Sequence, residues 1–77
     1  MRLSFGPDKG EVRVPGLRAE RHCEVSIDGE VVGLLLSGGG GCEYRGKPVG
    51  VRGLEWVVGA DSREVVSRLR ASLEQRG

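Results

Sequence analysis

The chain has 77 residues, enough for one small domain spanning 1–77, and a chain this short buries only about 60% of its unfolded surface. Its 12 basic and 11 acidic side chains leave a net charge of +1, against the basic excess that a dedicated nucleic-acid binder carries. The longest apolar run, Leu34-Leu35-Leu36, is far short of the 18 or so residues needed to span a bilayer.

Ten of the basic residues are arginine and two are lysine. A GC-rich gene would give such a bias, and it also suits bidentate contacts to carboxylate or phosphate. The first ten residues, MRLSFGPDKG, carry no apolar stretch of signal-peptide length. A cytoplasmic chain with Cys23 and Cys42 as reduced thiols is therefore expected.

In chain order, RLSFGPDKGEVRV reads as two short strands around a turn. Leu3 and Phe5 alternate with polar residues, as do Val12 and Val14, and Gly6-Pro7-Asp8-Lys9-Gly10 has turn chemistry. Pro15-Gly16 then breaks the pattern. In HCEVSIDGEVVGLLL, Asp28-Gly29 sits between two alternating segments and predicts a hairpin with a two-residue turn. That turn sets Ile27 opposite Glu30, Val25 opposite Val32 and Cys23 opposite Leu34. One face is then Cys23, Val25, Ile27, Val32, Leu34 and Leu36; the other is His22, Glu24, Ser26, Val31, Gly33 and Leu35. Cys42 and Tyr44 follow on a further strand, beside Leu36 and Leu34. Leu54, Trp56 and Val58 alternate with Glu55 and Val57 and predict another.

GADSREVVSRLRASLEQRG predicts a helix. Asp61 is the N-cap, Glu64 completes a capping box, and Val65, Val66, Leu69 and Leu73 form one apolar stripe. The expected fold is α+β: an antiparallel meander sheet of four or five strands with one C-terminal helix packed on one face. The stripe should cover Val25, Ile27, Val32, Leu34 and Trp56.

Gly41, four residues, then Gly46-Lys47 begins a phosphate-loop pattern, but Pro48 replaces the required hydroxyl residue and no helix is expected after it. Glu43 would also place a carboxylate inside the loop. Nucleotide binding is not expected, and no cofactor is implied. His22, Cys23 and Cys42 lack the paired spacing of a zinc site, so no metal is expected. Cys23 and Cys42 should not form a disulfide, because the Leu34 strand lies between them. His22 has no oriented partner, so no catalytic residue is assigned and an enzyme is not expected.

Protein binding is the favoured function. Val31 and Leu35 fall on the sheet face that a single helix cannot cover, unless the N-terminal strands fold over them. The glycine run, with Gly39 and Gly40 at its centre, offers a close-approach loop, and Arg45, Lys47 and Arg52 cluster after it. These seven residues form the expected contact surface for a protein partner, or for a second copy in a homodimer. Outer strands of an open sheet can also accept a strand from another chain. Small chains of this architecture include accessory and inhibitor proteins such as those encoded by mobile elements or phage, an association from size alone. The alternative is a nucleic-acid-binding module that contacts phosphates through Arg45, Lys47 and Arg52.

Overall fold

The computed structural model describes residues 2–50 and 54–76. Among these residues it is an α+β fold of seven strands and one helix, with the helix last. The strands are β1 (Leu3–Phe5), β2 (Val12–Val14), β3 (Leu17–Ala19), β4 (Arg21–Ile27), β5 (Glu30–Gly38), β6 (Gly41–Gly46) and β7 (Trp56–Gly59), followed by α1 (Ser62–Arg76). Five strands form one antiparallel sheet in the order β1-β4-β5-β6-β7, while β2 and β3 make a separate two-stranded hairpin.

The Asp28-Gly29 turn joins β4 to β5 as its chemistry requires. Both residues have positive φ, 52° and 85°, which matches the twist of the flanking strands. Ile27 opposite Glu30 follows from it. The expected register does not continue past that pair. Ser26 lies opposite Val31, but Val25 lies opposite Gly33, so Val32 is an extra residue in a bulge. Every pair beyond it moves by one: Cys23 faces Leu35, Glu24 faces Leu34 and His22 faces Leu36. The carbonyl of Val32 accepts a bond from the Lys47 amide at 2.9 Å.

The bulge decides which leucines meet the helix. Leu35 shares a face with Val25, Ile27, Tyr44 and Val57, and all five are buried in the core with Val65 and Leu69 of α1. Leu34 and Leu36 turn to the opposite face. Cys42 and Tyr44 lie beside Ser37 and Leu35, rather than beside Leu36 and Leu34 as expected. Tyr44 still reaches the core, as expected, because its strand shifts together with its partner.

The N-terminal segment also pairs differently from the expectation. β1 does not pair with β2. It lines the outer edge of β4, with Leu3 beside Ile27 and Phe5 beside Val25. Arg2 anchors it to the Asp28 turn: its carbonyl accepts from the Asp28 amide at 2.8 Å, and its own amide donates to Asp28 Oδ1 at 2.7 Å. Pro15-Gly16 is not a break but a two-residue turn, with Val14 opposite Leu17. Proline presets φ at the first position and Gly16, at φ 77°, supplies the positive φ that a type II turn needs at the second.

The β2–β3 hairpin crosses the sheet face away from the helix. Arg45 Nη1 donates to the Pro15 carbonyl at 2.5 Å, and the Glu20 amide donates to Ser37 O at 3.0 Å. Beneath it Leu36 is 1% exposed, and Ala19 of the hairpin is buried as well. The sheet is thus covered twice, by α1 on one face and by the hairpin over part of the other.

The helix begins on Asp61, whose Oδ1 accepts from the Glu64 amide at 2.9 Å. The reciprocal arm of the capping box is not made; the Glu64 carboxylate pairs instead with Arg68, one turn on, at 3.2 Å. Asp61→Ala is expected to cost about 1 kcal/mol in a denaturant melt, as for other N-caps. An unchanged midpoint would mean that the cap contributes nothing here.

Candidate functional site

The sheet has two edges, β1 and β7, and the second carries the most exposed apolar side chains. Trp56 is 64% exposed and Val58 46%. Trp56 was expected under the helix; it points the other way. The β6–β7 register sets Trp56 beside Arg45, Val57 beside Tyr44 and Val58 beside Glu43, so Val57 is the inward residue. Leu54 is also buried, but it precedes β7 and does not share its alternation.

Trp56 is exposed but held. Its indole Nε1 donates to Glu43 Oε2 at 2.7 Å, and Arg45 Nε donates to the same oxygen at 2.5 Å. Through its Nη1, Arg45 also reaches the Pro15 carbonyl. One carboxylate oxygen therefore links the tryptophan to the arginine that fastens the β2–β3 hairpin. Charge-assisted bonds of this kind are shorter and stronger than neutral ones. The ring is fixed with its apolar body towards solvent, the state in which an aromatic anchor orders least on binding.

Glu43 is accordingly acidified. The Arg45 hydrogen bond is the largest cause and the Trp56 bond adds to it, while partial burial works in the other direction. A folded value below the unfolded one means that the network stabilises the fold fully above the usual glutamate range. This stabilisation is lost as the pH falls through the folded value. The Trp56 indole N–H resonance should titrate in that acidic window, below ordinary glutamates, and Glu43→Gln should remove the step. A Trp56 resonance that follows an ordinary glutamate curve would disprove the link.

The backbone of the β7 edge has a defined parity. Gly46 N donates to Glu55 O at 2.9 Å, which makes that pair hydrogen-bonded and, by alternation, Val57 opposite Tyr44 as well. Trp56 and Val58 therefore aim their N–H and C=O groups away from β6. Among the described residues, one of these four groups has a partner: Val58 O accepts from Arg68 Nη1 at 3.1 Å. Alongside runs a shallow groove of about 480 Å³ between β7 and α1, floored by Val57 and bordered by Arg68, Ala71 and Ser72. A second hollow of about 290 Å³ lies between the hairpin and the glycine turn, with Leu17, Glu43 and Val58 on its walls.

Of the seven residues expected to contact a partner, the six that are described are dispersed. Val31 is 46% exposed near the Asp28 turn. Leu35 is in the core, because the bulge at Val32 turned it inward. Gly39 and Gly40 form a tight two-residue turn with φ of 63° and 97°, closed by Gly38 opposite Gly41. Arg45 is half-buried and committed to Glu43 and Pro15, so it does not form an exposed tip. Lys47 is exposed and sits 3.8 Å from Glu30. Arg52 lies outside the described residues.

The phosphate-loop resemblance dissolves for a topological reason. Gly41–Gly46 is an interior strand, laddered to β5 on one side and β7 on the other, so its backbone N–H groups are not available to cradle an anion. Cys23 and Cys42 are free and lie on β4 and β6 with β5 between them. Burial pushes both thiols up, which keeps them protonated and weakly nucleophilic. His22 Nδ1 lies 2.7 Å from the Gly10 carbonyl and ties the chain after β1 to β4. Among the described residues no three His, Cys, Asp or Glu side chains converge as metal ligands, and no helix is long and apolar enough to cross a membrane.

Comparison of the chain with protein-family models, with curated proteins and with solved structures finds no match in any of the three.

Proposed function

We propose that the chain is a small non-enzymatic protein-binding module, and that its contact surface is the β7 edge carrying Trp56 and Val58. The observation behind this reading is the tryptophan: strongly exposed, yet oriented by the Glu43–Arg45 pair. Tryptophan and arginine are over-represented among the residues that dominate binding energy, and a pre-ordered ring loses little freedom on contact. Around it lie an apolar groove and unpaired main-chain groups, which suit an added strand. Lys47, with Glu30 beside it, and the committed Arg45 offer a phosphate backbone little free positive charge.

The test is affinity capture from the native host after nuclease treatment, comparing the wild-type chain with Trp56→Ala and Lys47→Glu. A stoichiometric protein retained by the wild type and by Lys47→Glu, but lost from Trp56→Ala, is the expected result. Loss of every partner on nuclease treatment, or on Lys47→Glu alone, would transfer the function to nucleic acid.

A further inference from the structure

We infer that the protein bound at the β7 edge is a second copy of this chain, joined antiparallel so that two five-stranded sheets become one of ten strands. This rests on the protein-binding reading of the same edge and assigns the partner. The argument is the parity of β7. Its outward groups belong to Trp56 and Val58, which are two residues apart with Val57 between them. Under a two-fold axis through Val57, Trp56 of each copy meets Val58 of the other. Each N–H then finds a C=O, and no outward group of these two residues is left over. The carbonyl of Val58 can serve both Arg68 and the second copy, because a carbonyl oxygen has two acceptor sites.

The side chains agree with the backbone. Trp56 and Val58 lie on the same sheet face, away from the helix. The same two-fold places each tryptophan beside a valine of the other copy, an aromatic–β-branched cross-strand pair. Two of the three large apolar side chains that are exposed among the described residues are therefore covered by one operation. On the helix side, the residues that border the edge groove after Arg68 are small, Ala71 and Ser72, so a second helix can approach across the axis. An isologous contact of this type closes at two subunits and leaves the β1 edges outermost.

Sedimentation and light scattering over a concentration series decide the matter, with Trp56, the only tryptophan, as an internal probe. The expected result is a species of twice the 8.2 kDa chain mass, with Trp56 emission shifting to the blue as it forms. Val58→Pro removes an N–H that points away from β6, so it spares the internal ladder. It should weaken the dimer by about tenfold or more, since each dimer loses two main-chain bonds. Trp56→Ala should weaken it too, and serves if Val58→Pro disturbs the fold by circular dichroism. A chain that stays monomeric into the high micromolar range overturns the inference. So does a dimer that both variants leave intact. Should that monomer still capture a host protein through Trp56, the binding-module reading stands while the second copy is rejected.

Discussion

Gly46→Ala should move the denaturation midpoint of the chain far below that of the wild type. Gly33 and Gly46 face each other across β5 and β6, and the ring of Tyr44 lies over the pair. A methyl group on Gly46 would lie 2.6 Å from Tyr44 Cζ and 2.9 Å from the Val32 carbonyl oxygen. On Gly33 it would lie 2.5 Å from the Arg45 carbonyl oxygen and 2.6 Å from the Tyr44 hydroxyl. Neither obstacle yields easily: the carbonyls belong to sheet backbone, and Tyr44 is itself 1% exposed beneath the helix. Overpacking of this kind costs about 3 kcal/mol. A chain of this length has roughly 4–12 kcal/mol in total at about 0.05–0.15 per residue, so the loss is a large share. Gly10→Ala is the control, since nothing lies within 4 Å of the added carbon there. Chemical denaturation should separate the two variants clearly. If Gly46→Ala melts with the control, the tyrosine does not pack over the glycine pair.

Leu35→Glu should abolish folding, while Val31→Glu should be tolerated. In an unbulged hairpin the two residues share one open face and would respond alike. The bulge separates them: Leu35 is enclosed by the helix-facing core and Val31 is half open to solvent. A carboxylate in place of Leu35 finds no cation in that cluster, and desolvating it costs several kcal/mol. At Val31 the change should stay within about 0.5 kcal/mol, as at ordinary surface sites. Circular dichroism and one-dimensional proton spectra give the answer directly. Equal tolerance at both positions would restore the unbulged register.

These two cases also mark where the sequence is informative. The Asp28-Gly29 turn, the Asp61 cap, the apolar stripe of α1 and the order of strands before helix all follow from local chemistry, and all are found. The bulge does not follow from it. β5 contains Val31, Val32, Leu34, Leu35 and Leu36, so both parities are apolar and neither is excluded by the pattern. A one-residue insertion is then invisible until the second face has a cover. That cover, the β2–β3 hairpin, was hidden in turn because Pro15-Gly16 serves equally as a break and as a type II turn. Trp56 was missed for the same reason as Leu35. Trp56, Val57 and Val58 are all apolar, and only the ladder to β6 shows that the valine between them is the buried one. The Glu43–Arg45–Trp56 triangle could have been suspected from the i, i+2 spacing of Glu43 and Arg45 on one strand face, but its third member needed the register.

The insertion of β2 and β3 between β1 and β4 has a consequence for how the chain assembles. Strands β4 to β7 pair with one another in chain order, and the β4–β5 and β5–β6 pairings each close a two-residue turn. β1 must wait, because the segment that separates it from β4 includes a hairpin of its own that has to settle on the opposite face. Loop-closure entropy places that contact late and makes it the least costly to undo. Local opening of the native state should therefore begin at Leu3–Phe5, peeling one margin of the sheet from β4 while the Trp56 margin stays intact.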